Sequence, residues 1–236
     1  MIQILWPGSL AWFEHSTDTR AVIGSNPIRA IFYPKMILKQ IHSGYDSNFT
    51  YLIADEKTKD AIIIDPSVDI SKIKEEIKEF KIKYIINTHS HEDHIAGNEG
   101  LINLTNAKVI QHEFSPEKHD ISVKDNQEIK FGEITLKFIY TPGHIKDHIC
   151  ILVEDKLFTG DLLFVGTIGG VGPRFKGSNL KEEYNSLQRI SKLNDNIEIY
   201  PGHDYGPKKS STIGYEKQHN IFLSPKTFKD FENLLN

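Results

Sequence analysis

Seven consecutive residues, Thr88-His89-Ser90-His91-Glu92-Asp93-His94, hold three histidines and an aspartate. Imidazole nitrogen and carboxylate oxygen are the ligands that suit zinc, iron and manganese. His89 and His91 are two apart, so in an extended loop their rings can swing to one side and share an ion. Asp93 and His94 follow at once and can face a second ion beside the first. The plain alternative is a chance cluster of surface histidines, and for a lone histidine it would stand. Four ligand-type residues in seven, directly after the apolar run Lys83-Tyr84-Ile85-Ile86-Asn87, are much harder to assign to chance.

Three further turns carry the same kinds of residue. Thr141-Pro142-Gly143-His144 follows a strand-like run ending at Tyr140. Phe158-Thr159-Gly160-Asp161 and Tyr200-Pro201-Gly202-His203-Asp204 close two later apolar runs. Glycine lets the backbone turn sharply, so the next side chain can point back over a sheet edge. A carboxylate such as Asp161 can bridge two ions with its two oxygens. The expected partition gives His89, His91 and His144 to one ion, Asp93, His94 and His203 to the other, and Asp161 to both.

These turns need strands to hold them. Residues 37–41, 49–53, 61–65, 83–87 and 108–111 read as strands in the first half, and 134–140, 148–154, 156–159 and 197–200 in the second. Ile70, Ile73, Ile77 and Phe80 recur at helical spacing and predict a helix over 69–81. A second helix is expected from His94 to Leu104, at the carboxyl end of a strand, where open sheets place their chemistry. Asn179 and Glu182 have capping-box spacing ahead of Leu180, Tyr184, Leu187 and Ile190. Ser224-Pro225 reads as the opening of a short last helix. Two sheets packed face to face with helices outside, an α/β sandwich, follow from this order.

The chain has 236 residues, 39% hydrophobic and 25% charged, which suits one globular domain. A net charge of -4 gives no basic footprint for nucleic acid, and no apolar run approaches the ~20 residues needed to cross a bilayer. Cys150 is the single cysteine, so a reducing, cytoplasmic compartment is expected. Residues 1–35 show neither strand nor helix periodicity and are expected to be a disordered or mistranslated extension, with residues 36–236 as the domain. Gly24-Ser25-Asn26-Pro27 is what the T-arm of a transfer RNA gene spells when read as codons. A chain starting at Met36 is therefore expected to keep fold, metal and activity, and loss of soluble protein on that truncation would refute it.

His-x-His-x-Asp-His over 89–94, then His144, Asp161 and His203 on these turns, resembles the metallo-β-lactamase superfamily from about Met36 onward. The resemblance implies an αββα sandwich with the metals at one sheet edge. Aspartate at 161, where true lactamases carry cysteine, points to the glyoxalase II (hydroxyacylglutathione hydrolase) branch. Thr141-Pro142-Gly143-His144, His148-Ile149-Cys150 and Phe158-Thr159-Gly160-Asp161-Leu162-Leu163-Phe164 are similar to that branch. The family's glutathione-holding lysine has no counterpart in Thr167-Ile168-Gly169-Gly170-Val171-Gly172, and the family's C-terminal helical domain has none after His203. S-lactoylglutathione is accordingly expected to be a poor substrate or none.

The implied chemistry is cleavage of a small thioester or ester by a metal-bound hydroxide. Two divalent ions are expected, zinc first, with iron or manganese as alternatives. Asp93 is the candidate for holding the hydroxide and handling its proton. Tyr205, Arg174 and Lys176 are the candidate substrate contacts. Two rivals stand beside this reading: a mononuclear iron persulfide dioxygenase held by His89, His144 and Asp161, and a non-catalytic metal-binding module. Asp65 reads equally as a partner of a ligating histidine or a strand-end turn residue. His148 and Cys150 read as core, with an outer-sphere role open to His148.

Overall fold

The computed structural model describes residues 36–235. The expectation about the first 35 residues lies outside them. In the first half run β1 (Met36–His42), β2 (Phe49–Asp55), β3 (Asp60–Ile64), α1 (Ile70–Glu76), β4 (Lys81–Ile86), α2 (Glu92–Ile95), α3 (Asn98–Thr105), β5 (Lys108–His112) and β6 (Ile121–Val123). Then come β7 (Glu128–Phe131), β8 (Ile134–Tyr140), β9 (Ile149–Val153), β10 (Lys156–Gly160), β11 (Leu163–Phe164), β12 (Thr167–Ile168) and α4 (Leu180–Ile190). The chain closes with β13 (Glu198–Pro201), β14 (Ser211–Thr212), α5 (Ile213–His219), a 3-10 turn at Ile221–Leu223 and α6 (Phe228–Leu234).

Two six-stranded mixed sheets result, in the orders β1-β2-β3-β4-β5-β6 and β14-β13-β10-β9-β8-β7. Period-two alternation divides their side chains among three apolar layers. Phe49, Tyr51 and Ile53 of β2 face inward and meet Phe138, Ile151 and Phe158 of the other sheet. Leu52 and Ala54 face outward, where Ile73 of the first helix, Ile77 just after it and Leu101 of α3 cover them. Cys150 and Leu157 face the opposite way, under Leu187, Ile190 and Phe231. Helix–sheet–sheet–helix layering therefore explains why runs such as Ala61-Ile62-Ile63-Ile64 are apolar throughout: both faces are buried.

Several boundaries differ from the sequence expectation. The first helix stops at Glu76, because the chain must turn through Ile77 and Phe80 to begin β4 already at Lys81. The helix expected from His94 to Leu104 is two, broken where Gly97 N–H donates to Pro66 O at 2.9 Å. Asn179 caps α4 by accepting from the backbone N–H groups of Lys181 and Glu182, but its own N–H goes to Gly143 O at 2.7 Å, so no reciprocal capping box forms. The last helix is capped by Thr227, not opened by Ser224-Pro225. No helix among the described residues is long and apolar enough to cross a membrane.

Because β3, β4, β5 and β6 are parallel, and β10 and β13 are parallel, the turns after β4, β8, β10 and β13 all emerge at one edge. Backbone bonds lock the sheets together there. Phe49 N–H donates to Gly202 O and Ile149 N–H to Thr88 O, both at 2.8 Å.

Candidate metal centre

The seven sequence-predicted donors converge on that edge. His89, His91 and His144 form one group, and Asp93, His94 and His203 another, with the donor atoms of each group within 4.8 Å of one another. Asp161 lies between them. Its Oδ1 is 3.3 Å from His94 Nε2, and its Oδ2 is 3.7 Å from His144 Nε2 and 3.4 Å from His203 Nε2. Two ligands ~2.1 Å from a common ion sit roughly 3–4 Å apart, so this spacing is that of coordination spheres.

Glycine makes the approach possible. A Cβ on Gly202 would lie 2.4 Å from Asp161 Oδ1 and 2.9 Å from His94 Cε1. Gly160, just before Asp161, has φ +46, in the left-handed region, and a Cβ there would meet Thr88 Oγ1 at 2.6 Å.

The outer nitrogens decide what the inner ones present. His144 Nδ1 donates to Gly170 O and His203 Nδ1 to Asp46 O, both at 2.8 Å. His94 Nδ1 donates to Asp65 Oδ2 at 3.0 Å. Thr88 gives its hydroxyl proton to Asp65 Oδ2 at 2.6 Å and so accepts from His89 Nδ1 at 3.0 Å. Four rings are thereby fixed with Nε2 pointing inward. His91 adds Nδ1, 3.0 Å from His89 Nε2 and 2.9 Å from His144 Nε2. Lone pairs this close repel unless something positive sits among them.

Charge balance points the same way. Burial, reinforced by His94, holds His89 well below the ordinary imidazole range. Burial lowers His91 too, and pushes His148 down to about 3. Burial opposes charge on His94, yet Asp161 and Asp65 outweigh it and raise that ring well above its usual value. His203 is raised to about 10, because Asp161 and Asp93 overcome its burial. Protons and a divalent cation therefore compete for the same two nitrogens. Asp161 Oδ1 is buried with no hydrogen-bond partner, an orphan that a cation would satisfy. The donor chemistry thus fits two divalent ions.

Residues around the donors fix them. Asp65 accepts from Thr88 N–H at 2.7 Å as well as from the Thr88 hydroxyl and His94, so of its two sequence readings the histidine partner holds. His148 is wholly buried, and its Nε2 accepts from Asp161 N–H at 3.2 Å, an outer-sphere position. Tyr205 stacks on His203 with ring centroids 4.6 Å apart and gives its hydroxyl proton to Asp46. Arg174 and Lys176 are exposed and make no ion pair among the described residues. Sequence reading missed Asn48, whose Nδ2 donates to Asp93 Oδ2 at 2.8 Å from 45 residues away, and the carbonyls of Asp46 and Gly170. A backbone carbonyl leaves no side-chain signature.

A family model described as the metallo-beta-lactamase superfamily matches residues 44–114 and 111–203, spanning every donor. The chain belongs to the metallo-β-lactamase superfamily. With membership comes a coarse class, metal-dependent hydrolase, and the layered fold just described. The probable polyketide biosynthesis zinc-dependent hydrolase BaeB of Bacillus velezensis is 33% identical over 200 residues, 80% of this chain and 88% of that protein. A hydroxyacylglutathione hydrolase of Francisella tularensis subsp. novicida is 40% identical over 163 residues, which cover 67% of this chain but 63% of that protein. Among superfamily structures, ETHE1 from Myxococcus xanthus superposes with a TM-score of 0.79 at 32% identity, covering 84% of this chain and 89% of that one.

Proposed function

We propose that the chain hydrolyses a thioester or ester with two divalent ions, zinc first, held by His89, His91, His144, Asp93, His94, His203 and the shared Asp161. The observation that carries the reading is the Asp161 carboxylate between two complete triads, within 3.3–3.7 Å of rings in both. The names of the Bacillus and Francisella relatives, a zinc-dependent hydrolase and a hydroxyacylglutathione hydrolase, support it.

When bound, the ions lower the pKa of water toward ~7 and polarise a carbonyl. The chain's own part is placement and proton handling. Asp93 keeps its side chain partly open to solvent, while Asn48 holds its Oδ2. It is the base that orients the attacking water and takes its proton. Water oxygen adds to the carbonyl carbon, the carbon–sulfur bond breaks, and the thiol leaves with that proton. Asp65 and Thr88 keep His89 and His94 from turning during the cycle. Arg174 and Lys176, exposed and making no ion pair among the described residues, are cations for an anionic thiol carrier other than glutathione.

Elemental analysis and a thioester panel test the reading together. Two zinc ions per chain and turnover of small thioesters are expected, with S-lactoylglutathione below the usual enzyme range of roughly 10⁴–10⁸ M⁻¹s⁻¹ in kcat/KM. One iron per chain with oxygen uptake on glutathione persulfide would hand the site to the dioxygenase. That rival would be held by His89, His144 and Asp161, and the likeness to ETHE1 at 32% identity is compatible with it.

A further inference from the structure

The donor edge also carries a concentration of exposed apolar side chains. Tyr45 follows β1, Val68 follows β3, Phe114 follows β5, Phe175 follows β12 and Tyr205 follows β13, with exposures from 47% to 78%. The other exposed large apolar residues among those described lie on α3, on the last two helices and around the 3-10 turn, away from the donors. Exposed apolar side chains scattered singly need no explanation, whereas several on the loops of one functional edge point to a binding surface.

Contacts tie these loops to the donors on three sides. On the His203 side, Tyr205 stacks on the imidazole and meets Phe164 edge-on at 5.3 Å. Tyr45 sits beside Asp46, whose carbonyl holds His203 and whose carboxylate takes the Tyr205 hydroxyl. On the His144 side, the Phe175 ring lies against Gly170, where an added Cβ would be 2.2 Å from Cε1. The Gly170 carbonyl is the one that fixes His144. Beyond His91, Phe114 meets Tyr140 at 5.8 Å, and the Tyr140 hydroxyl donates to the carbonyl of Lys146, which follows His144 by two residues.

The charge on this rim is partly occupied. Lys146 Nζ stands 4.7 Å over the Phe114 ring, and Asp46 is engaged by Tyr205. A reacting carbonyl that reaches the donors therefore has apolar and aromatic surface around it, with Lys146 held over Phe114 and Arg174 and Lys176 on either side of Phe175 in the chain.

We propose that this rim is an acyl-binding surface and that the substrate carries a large apolar acyl group, aromatic or a medium-length alkyl chain. The inference rests on the hydrolase reading. Ligand sites in general set mostly apolar surface around a few placed polar groups, which is the residue mix of this edge. The carrier's anionic end goes to the Arg174 and Lys176 flank, and the acyl group goes to Tyr45, Tyr205 and Phe175.

The test uses N-acetylcysteamine thioesters, whose thiol is small and neutral, so that only the acyl group varies. Zinc-loaded full-length chain is given acetyl, butyryl, octanoyl and benzoyl thioesters. kcat/KM is expected to rise at least tenfold from acetyl to octanoyl or benzoyl. Phe175→Ala and Tyr45→Ser, both on exposed loops, are each expected to lower the octanoyl-to-acetyl ratio at least fivefold. Binding is measured in parallel by calorimetry, with the non-hydrolysable S-octyl and S-methyl thioethers of N-acetylcysteamine. The octyl compound should bind at least tenfold more tightly. A flat acyl profile with equal thioether affinities overturns the inference and leaves the hydrolase intact. Hydrolysis of no thioester, with the octyl preference still present in calorimetry, instead overturns the hydrolase and keeps the apolar site. A preference that Phe175→Ala and Tyr45→Ser both leave unchanged would remove it from this rim.

Discussion

Asp161→Ala is expected to empty both metal positions and stop turnover, whereas His144→Ala empties one. The difference comes from position. His144 belongs to a single group of donors, with His89 and His91. The Asp161 carboxylate stands within 3.3–3.4 Å of His94 and His203 and 3.7 Å of His144, so it borders both groups. It is buried and brings the negative charge that would offset the proposed pair of dications. Removing it leaves one group of neutral imidazoles and one with Asp93 alone. Lewis acidity contributes several kcal/mol to the transition state. Each ~1.4 kcal/mol is tenfold in rate, so the loss is on the order of 10³-fold or more. Elemental analysis should find two ions per wild-type chain, about one in His144→Ala, and less than one in Asp161→Ala. Two ions at wild-type affinity in Asp161→Ala would end the bridging assignment.

Replacing Asp65 should damage both fold and metal site, though no metal ligand is touched. Its carboxylate is 2% exposed and takes three hydrogen bonds, from Thr88 N–H, the Thr88 hydroxyl and His94 Nδ1. Alanine leaves all three donors buried without an acceptor, at a cost of about 3–5 kcal/mol by analogy with broken buried pairs. The backbone adds to this: Asp65 has φ 50, left-handed, which aspartate and asparagine tolerate better than alanine. Asp65→Asn keeps the backbone and one acceptor oxygen, so it should lose less stability than Asp65→Ala. Both variants free His89 and His94 to turn, and outer-sphere losses of this kind cost roughly 10–100-fold in metal affinity. Urea unfolding read beside competitive zinc titration separates the two effects. A variant that unfolds at lower urea but binds zinc as tightly as wild type would restrict Asp65 to the fold.

The sequence by itself singled out the candidate donors. Histidine and aspartate are rare enough on glycine turns after apolar runs that local spacing alone picked out His89, His91, Asp93, His94, His144, Asp161 and His203. It determined the layering as well, because doubly buried strands such as 61–64 and the amphipathic spacing of Ile70, Ile73 and Ile77 are local signals. Short elements escaped: β6, β7, β11 and β12 run two to four residues, too few for any period to register. The break between the two helices after the His-rich loop escaped for another reason. Gly97 turns toward the Pro66 carbonyl, a partner 31 residues earlier, and nothing local announces it. Only the tertiary structure decided which nitrogen each histidine presents. That choice depends on acceptors brought from far along the chain: Asp65 for His94, Asp46 for His203 and Gly170 for His144. Two of those three are backbone carbonyls, which every residue has, so the folded chain alone singles them out. Tertiary structure also decided that Tyr45, Phe175 and Tyr205, on three separate loops, share one edge with the donors. Sheet order and strand direction set that edge, and both are properties of long-range pairing that no single segment contains.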